Sequence, residues 1–315
     1  MATKKDFQNH FTSGPVMKPL GFLLGWILWC TQITPANAHT ETSIDIGRGP
    51  VPVLISDDYQ IHKPVPLIVS LHGFGGSGES YIQYWEQNKQ VDLKDFIVVA
   101  PTGTTDSKGR SFWNATDACC DKDQSGVDDS AYLRTLIEKM EATYAIDPKS
   151  IHVTGYSNGG FMAHRMACEH ADKIASIASV AGASFPKTHR CSTKMPVHVL
   201  HIHGTEDAVI RYGGGQLKNY KSNTRVPHPG AVESVSFWAK HNGAALVTET
   251  IQPMDLSDRT PGEDTEVMRF LQSGRTPVTV ELWSIAGETH VPQLNNDFHD
   301  KATKWMLDHR KVNAK

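Results

Sequence analysis

The sequence predicts an α/β domain with a doubly wound, mostly parallel sheet flanked by helices. Short runs of β-branched and other apolar residues recur along the chain, and segments with helical periodicity lie between several of them. Strands that alternate with helices are typical of a doubly wound fold. The chain has 315 residues, of which 39% are hydrophobic and 21% are charged, so it can bury a large core. Because no repeat or low-complexity linker interrupts the pattern, we expect a single domain.

Six apolar runs are predicted to be strands. Each is a short run of β-branched and other apolar residues, which suits strands that are buried on both faces of a parallel sheet. The six runs are 66–71, 95–100, 150–155, 176–181, 197–202 and 278–285.

Four segments are predicted to be helices, and two stretches are predicted to be long surface loops. Asp128 is a plausible capping residue for the first helix. The loops, 212–230 and 253–277, could shape a binding site. The predicted helices are 129–144, 158–169, 231–242 and 297–309.

The first 38 residues have the pattern of a secretory signal peptide. Lysines precede an apolar run at 20–29, and small residues lead up to Ala38. We therefore expect cleavage after Ala38, with residues 39–315 secreted as the catalytic domain, either to the periplasm or outside the cell. The alternative, a buried N-terminal helix, is not supported, because this segment has no amphipathic pattern. A lipid anchor at Cys30 is also not supported, because the bulky Trp29 precedes the cysteine where a lipidation signal needs a small residue.

The charge of the chain bears on its partners. The full chain has a formal net charge of −3, and the predicted leader removes three lysines and one aspartate, so the secreted part is more acidic. No basic patch for nucleic acid remains. We expect no membrane association after the leader is removed.

Four cysteines follow the predicted leader. In an oxidising compartment, an even number favours disulfide bonds over metal binding. A bridge between the adjacent Cys119 and Cys120 would be strained, which favours each of them pairing with Cys168 or Cys191, in either combination.

The segment GYSNGG, residues 155–160, indicates a catalytic nucleophile. Ser157 falls where the strand 150–155 must turn sharply into the helix 158–169, a turn that only small neighbours tolerate. The helix begins immediately after Ser157. The backbone N–H of Asn158 is therefore a candidate donor to an oxyanion.

A serine hydrolase also needs an acid and a histidine, which follow in that order along the chain. Asp207 comes after the strand 197–202, and Glu206 is a fallback acid. His290 comes after the strand 278–285. Any one of the 16 histidines could be a surface residue, but His299 and His309 lie on a helix that we expect to be polar and solvated.

The segment LHGFGGSG, residues 71–78, predicts the second oxyanion donor. A glycine-rich turn after the strand 66–71 exposes backbone N–H groups, and Phe74 N–H is the candidate. A phosphate-binding loop is the competing interpretation. Neither G-x-G-x-x-G nor a G-K-[ST] ending is present.

The histidines in HVLHIHG are candidate metal ligands. His201 and His203 alternate on a strand and so point to one face. No H-E-x-x-H motif or further cluster completes a coordination set, so we predict no metal and no cofactor. We expect these histidines to support the turn at Asp207.

Taken together, these segments resemble a family of secreted esterases that includes polyhydroxybutyrate depolymerases, feruloyl esterases and related carbohydrate esterases. The resemblance covers about residues 45–310, and it is carried by LHGFGGSG, FWNATDACC, GVDD, GYSNGGFMAHRMACE and VHVLHIHGTEDAVIRYGGG. It implies an α/β-hydrolase fold, the triad Ser157, Asp207 and His290, and cysteines at the family's positions. Relatives often have cysteine at position 74 and Trp-Pro after the histidine, where this chain has Phe74 and Val291-Pro292.

The resemblance implies an esterase that works through an acyl-enzyme. We expect polyhydroxybutyrate or another 3-hydroxyalkanoate oligoester as the substrate, and feruloyl or acetyl esters of plant cell-wall polysaccharide are the alternative. Tyr156 and Trp113 are the predicted substrate-binding aromatics. A non-catalytic secreted binding protein with the same fold is the alternative of another class, although all three triad residues are present in order.

Overall fold

A ten-stranded mixed sheet organises the chain. The computed structural model describes residues 39–186, 191, 194–219, 223–244, 247–271 and 277–312, which form a single unit. The predicted signal peptide, 1–38, lies outside the described residues and stays a prediction.

The strands, in chain order, are β1 (His39–Asp45), β2 (Pro50–Ser56), β3 (Val65–Leu71), β4 (Ile97–Val99), β5 (Thr104–Thr105), β6 (Ser111–Phe112), β7 (Ile146–Tyr156), β8 (Ser176–Val180), β9 (His198–Gly204), β10 (Gly215–Asn219), β11 (Thr224–His228), β12 (Thr248–Met254), β13 (Thr265–Phe270) and β14 (Val280–Ile285). The strand order of the large sheet is β1-β2-β4-β3-β7-β8-β9-β14-β13-β12. The strand pairs β5–β6 and β10–β11 form separate two-stranded sheets.

The six central strands, from β4 to β14, are parallel, and an antiparallel pair closes each edge of the sheet. These central strands are the six that the sequence predicts. The two predicted loops are wrong in part. The first contains the hairpin of β10 and β11, and the second contains β13.

The helices are α1 (Gly78–Tyr84), α2 (Gln87–Lys94), α3 (Asp129–Thr143), α4 (Asn158–Glu169), α5 (Ala231–His241) and α6 (Asn296–Asp308). The last four are the predicted helices. Asp128 caps α3, because its side chain accepts a hydrogen bond from the backbone N–H of Ala131. The short helices α1 and α2 are not predicted from the sequence.

Apolar side chains pack on both faces of the sheet. Residues of α3, α4 and α5 belong to one buried cluster, and residues of α1, α2 and α6 belong to the other. Along β3, Leu67 and Val69 join the first cluster while Ile68 joins the second, as the alternation of a strand requires. The architecture is therefore the predicted doubly wound fold.

The prediction that His299 is solvated is wrong. His299 is buried on α6, and its ring contacts the rings of Trp85 and Phe298. The apolar face of α6 packs on the sheet and carries His299 with it.

Candidate active site

Ser157 lies at the sharp turn between β7 and α4. Its backbone has φ of 51° and ψ of −115°, a conformation that is rare for a residue with a side chain. Glycine is required at positions 155 and 159 because backbone atoms of other residues approach both positions closely. A Cβ atom on Gly155 would lie 2.2 Å from the Gly159 oxygen, and one on Gly159 would lie 2.1 Å from the Leu71 oxygen. The turn lifts the Ser157 hydroxyl out at the carboxyl end of the sheet.

The structure brings together the three residues of the predicted triad. They follow β7, β9 and β14, which are close together in the sheet. The Nε2 atom of His290 lies 3.0 Å from the Ser157 Oγ atom. On the other side of the ring, Nδ1 lies 2.7 Å from Asp207 Oδ2. A base within hydrogen-bond reach of a hydroxyl, and itself oriented by a carboxylate, is the arrangement that activates a serine nucleophile.

Asp207 is buried and fully hydrogen-bonded. Its Oδ1 atom accepts from the backbone N–H groups of Val209 and Ile210 at 2.8 and 2.9 Å. Its Oδ2 atom lies 3.3 Å from His203 Nε2, in addition to the contact with His290. Burial opposes ionisation, but hydrogen bonds from His203 and His290 hold the pKa of Asp207 well below its usual range.

Glu206, the predicted fallback acid, does not reach the site. Its side chain is exposed and makes no hydrogen bond with His290 in the part of the chain that the structure describes. At the turn after β9, the buried Asp207 contacts His290 and the exposed Glu206 does not.

The two predicted oxyanion donors follow neighbouring strands of the sheet, β3 and β7. Asn158 is the first residue of α4, so its backbone N–H has no partner within the helix. Phe74 follows β3 on the neighbouring strand and lines the same cleft as Ser157. Among the described residues, neither N–H group donates to another atom. Both groups are therefore available to a bound oxyanion.

The side chain of Asn158 anchors the segment beneath the cleft. Its Oδ1 atom accepts from the Trp113 N–H at 2.7 Å, and its Nδ2 atom donates to the Trp113 oxygen at 2.8 Å. Nδ2 also lies 3.5 Å from Cys119 Sγ. A buried amide that satisfies both backbone groups of one residue holds that segment in a fixed register.

His72 fixes the loop that carries Phe74, a role that the sequence reasoning missed. Its Nε2 atom accepts from the Gly103 N–H at 2.9 Å, so Nδ1 carries the proton and donates to the Gly73 oxygen at 2.6 Å. The indole N–H of Trp113 donates to the His72 oxygen. The available signal was the position of His72, directly after a buried strand and before the glycine-rich turn.

A cleft of about 800 Å³ opens at Ser157 and His290. One wall is mostly polar and comes from the segment 114–126, which the sequence reasoning did not assign to the site. A second wall is mostly apolar, and part of it comes from the hairpin of β10 and β11. The polar residues of the first wall are Asn114, Thr116, Asp117, Asp121, Lys122 and Gln124, and the apolar residues of the second are Val209, Ile210, Leu217 and Val226. Ala118, Cys119, Cys120 and Gly126 also line the first wall, and Lys218 and Thr224 of the hairpin also line the second.

The two predicted substrate-binding aromatics behave differently. Tyr156 lines the cleft, but Trp113 is fully buried beneath it and does not line it. The expectation for Trp113 is wrong, because its indole packs against the His72 ring and its backbone is held by Asn158. Phe74 lines the cleft instead, with Lys122 Nζ 3.8 Å and Arg110 Cζ 4.8 Å from its ring centroid.

The disulfide bonds differ from the pairing that the residues alone favoured. Cys119 is bonded to Cys120, and Cys168 is bonded to Cys191. The Cα atoms of Cys168 and Cys191 lie 4.9 Å apart, within the normal range for a disulfide, and these two residues are bonded to each other rather than to Cys119 or Cys120. Cys119 and Cys120 are then left to bond to each other, and both residues line the cleft.

The described residues contain no group of three or more His, Cys, Asp or Glu side chains that could hold a metal ion. Of the helices in the described ranges, none is long and apolar enough to cross a membrane.

Residues 58–231 match the sequence profile of the phospholipase/carboxylesterase family, which is more than half of the chain. The chain belongs to this family. The segment that matches includes both Phe74 and Ser157, together with Asp207. The resemblance to esterases of the α/β-hydrolase superfamily and the predicted fold are thereby confirmed.

Curated relatives of this phospholipase/carboxylesterase family member are also esterases by name. Feruloyl esterase B from Piromyces equi is 29% identical over 231 residues, which are 72% of this chain and 40% of that protein. A bifunctional acetylxylan esterase/xylanase from Neocallimastix patriciarum is 33% identical over 168 residues, which are 51% of this chain and 22% of that protein. The chain thus spans less than half the length of these two relatives.

A solved structure has the same fold as this family member. The acetyl xylan esterase from Aspergillus awamori superposes with a TM-score of 0.56 and 15% sequence identity, covering 85% of this chain and 98% of that one. At this identity the likeness concerns the fold alone.

Proposed function

We propose that this protein is a secreted carboxylic ester hydrolase that works through an acyl-enzyme on Ser157. The observation that carries the proposal is the unbroken contact from Ser157 Oγ through the His290 ring to Asp207, at 3.0 and 2.7 Å, at the mouth of an open cleft. Membership of the phospholipase/carboxylesterase family supports it.

In the first step, Ser157 Oγ attacks the ester carbonyl while His290 Nε2 takes the hydroxyl proton. Asp207 holds the Nδ1–H of His290 and stabilises the imidazolium that forms. The tetrahedral oxyanion accepts hydrogen bonds from the N–H groups of Phe74 and Asn158. His290 then gives its proton to the departing alcohol, which leaves an acyl group on Ser157.

In the second step, water replaces the alcohol. His290 takes a proton from the water molecule, whose oxygen attacks the acyl carbonyl, and the proton passes to Ser157 Oγ as the carboxylic acid leaves. The same two N–H groups stabilise the second oxyanion. Removal of either donor is expected to lower kcat about 10²-fold to 10³-fold.

For the substrate, we favour an aromatic acyl ester of a plant cell-wall polysaccharide. The polar wall offers amide, hydroxyl and carboxylate groups that suit a sugar, and the apolar wall suits an acyl group. A cleft of about 800 Å³ is larger than an acetyl group needs. The names of the relatives, feruloyl esterase and acetylxylan esterase, support this class of substrate.

A 3-hydroxyalkanoate oligoester is the second candidate. The apolar side chains of Val209, Ile210, Leu217 and Val226 line one wall and could hold the methyl branches of such a chain. This preference stays a prediction, since the two relatives are named as a feruloyl esterase and an acetylxylan esterase.

One experiment separates these substrates. We would measure kcat/KM of the purified protein on methyl ferulate and on a 3-hydroxybutyrate trimer, with Ser157→Ala as the blank. Preference for the ferulate supports the polysaccharide ester, and preference for the trimer supports the polyester. Ordinary turnover by Ser157→Ala would refute the proposed mechanism.

A second experiment separates an enzyme from a binding protein of the same fold. A fluorophosphonate probe should label the folded protein at Ser157 and should fail to label His290→Ala. A folded wild-type protein that stays unlabelled would favour the binding protein.

Secretion is part of the proposal. Two disulfide bonds in the described residues support an oxidising destination, and the leader pattern supports export. N-terminal sequencing of the protein recovered outside the cytoplasm should begin at His39.

A further inference from the structure

A line of buried aromatic rings runs from Asp207 into the core. His203 Nε2 lies 3.3 Å from Asp207 Oδ2, and His203 Nδ1 lies 3.1 Å from His201 Nε2. His201 Nδ1 lies 3.3 Å from His164 Nε2, and His164 Nδ1 lies 2.8 Å from the indole nitrogen of Trp238. All four side chains are buried. The line joins β9 to α4 and α5.

The indole nitrogen gives this line a direction. An indole N–H can only donate, so His164 Nδ1 must accept, and a neutral His164 then carries its proton on Nε2. That proton faces His201 Nδ1, so His201 carries its own proton on Nε2. By the same step, His203 accepts at Nδ1 and carries its proton on Nε2.

The other end of the line requires the same direction. His203 Nε2 lies 2.7 Å from the backbone oxygen of Ile210, as well as beside the Asp207 carboxylate. Both of these groups are acceptors, so Nε2 carries a proton, which lies closer to the Ile210 oxygen and is shared with Asp207 Oδ2 at the longer distance. Trp238 at one end and the acceptors at the other therefore specify one tautomer for each of the three histidines.

The line also opposes a positive charge on His203. A doubly protonated His203 would donate from Nδ1 to His201, which would then donate to His164. His164 would be left with a proton on Nδ1, facing the N–H of Trp238. Burial lowers the pKa of His164 to about 3 and that of His201 well below its usual value, which keeps these rings neutral.

We propose that Trp238, His164 and His201 are positioning residues that hold His203 as a neutral hydrogen-bond donor to Asp207. A cation at His203 would neutralise the carboxylate before the reaction begins. A neutral donor orients Oδ2 and leaves its charge to stabilise the His290 imidazolium, which forms only in the transition state. The inference rests on the proposed function, because it concerns the carboxylate of the same triad.

The test removes the directing N–H group. Trp238→Phe keeps an aromatic ring but cannot donate to His164. Trp305→Phe is the matched control, because Trp305 is also a buried indole, and it donates to Glu281 Oε2 on the other face of the sheet. We expect Trp238→Phe to lower kcat about threefold to tenfold with KM unchanged, and Trp305→Phe to leave kcat within about twofold.

A spectroscopic readout separates positioning from mere packing. Long-range ¹H–¹⁵N spectra of protein labelled at histidine distinguish a proton on Nδ1 from one on Nε2. In the wild type, His164, His201 and His203 should all be neutral with the proton on Nε2. In Trp238→Phe, His203 should gain a population with a proton on Nδ1. A wild-type His203 protonated on Nδ1, or a His203 spectrum that Trp238→Phe leaves unchanged, would overturn the proposal.

A second pair of variants applies if Trp238→Phe does not fold. His203→Gln retains an N–H donor that can reach Asp207, whereas His203→Phe retains none. We expect kcat to fall about tenfold in His203→Phe and to recover to within about threefold of wild type in His203→Gln. Equal kcat values in the two variants would refute a donor role. Throughout, loss of turnover in Ser157→Ala tests the triad separately from the positioning line.

Discussion

The hydroxyl group of Tyr156 donates a hydrogen bond to the backbone oxygen of His290, with 2.8 Å between the two atoms. The residue that precedes the nucleophile thus holds the loop that carries the base, and the two rings pack with their centroids 5.4 Å apart. Burial and the nearby Asp207 charge raise the pKa of Tyr156 above its usual value, so the phenol keeps the proton that it donates.

Tyr156→Phe should therefore reduce kcat about threefold to tenfold, because one hydrogen bond that places His290 is lost. The phenyl ring stays in the cleft, so KM should change little. Tyr59→Phe is the control, since its hydroxyl also bonds to a backbone group, the N–H of Ala145, away from the site. Steady-state kinetics on one soluble ester would check this, and an equal loss in both variants would contradict it.

Asp207→Asn should reduce kcat about 10⁴-fold. The amide has the shape of the carboxylate but cannot stabilise an imidazolium. Glu206→Gln, one residue away and exposed, should retain wild-type kcat. Stopped assays with high enzyme concentration can measure both. A comparable loss in Glu206→Gln would mean that the acid has been assigned to the wrong residue.

Asn158→Ala should lower the free energy of unfolding by about 2 to 4 kcal/mol. The substitution leaves the buried N–H and oxygen of Trp113 without their partner. Asn295→Ala, which removes the side-chain cap of α6, should cost only about 1 kcal/mol. Urea unfolding followed by tryptophan fluorescence gives both values, and a smaller cost for Asn158→Ala than for Asn295→Ala would argue against this anchor.

The protein should lose stability as the pH falls below about 6.5. Burial lowers the pKa of His152 to about 3 from the ordinary value of 6.5, and His198 and His164 are lowered to the same extent. Below pH 6.5 the unfolded chain binds protons that the folded chain does not. Stability is therefore full above pH 6.5 and falls, down to about pH 3, by up to about 1.4 kcal/mol per pH unit for each histidine.

The histidine variant that tests this acid sensitivity is His152→Gln. Its unfolding free energy, measured in urea between pH 7.5 and 5, should depend on pH less steeply than that of the wild type, by about 1.4 kcal/mol per unit. The amide can still bond to the hydroxyls of Ser150 and Ser176, which both contact the imidazole. A slope equal to that of the wild type would contradict the assignment.

The two disulfides should differ in their effects. Cys168 and Cys191 are 23 positions apart, and replacing both with Ala should cost about 3 kcal/mol by releasing a closed loop in the unfolded chain. Cys119 and Cys120 are adjacent and close no loop, but they line the cleft, so their double replacement should change KM more than stability. Thermal unfolding and steady-state kinetics of the two double variants would check this, and the reverse pattern would refute it.

The central strands and the nucleophile turn could be predicted because each depends on a local pattern. A strand buried on both faces is rich in β-branched and other apolar residues, and a turn that brings Gly155 and Gly159 within van der Waals contact of other backbone atoms excludes other residues. The edge strands β1 and β12 could not be predicted. They are mostly exposed or half-buried and polar, as HTETSID and TETIQPM, so they lack that signal.

The other features that the sequence did not predict depend on tertiary contacts. The sequence places Trp113 in a loop but does not say whether the ring faces the cleft or packs under it. It likewise gives no distance between Cys168 and Cys191, which decides the disulfide pairing. The direction of the histidine line requires Trp238, which is distant in sequence and meets His164 only because α5 packs on β9 and β14 in the folded chain.

The hairpin of β10 and β11 supplies part of the apolar wall but belongs to a two-stranded sheet of its own. It is inserted between Asp207 and α5, and none of the triad residues lies on it. An exchange of this hairpin for one of another sequence would alter which acyl groups enter while the machinery that breaks the bond stays in place. In such an architecture, new substrate preferences can arise by replacing a peripheral module rather than by rebuilding the centre.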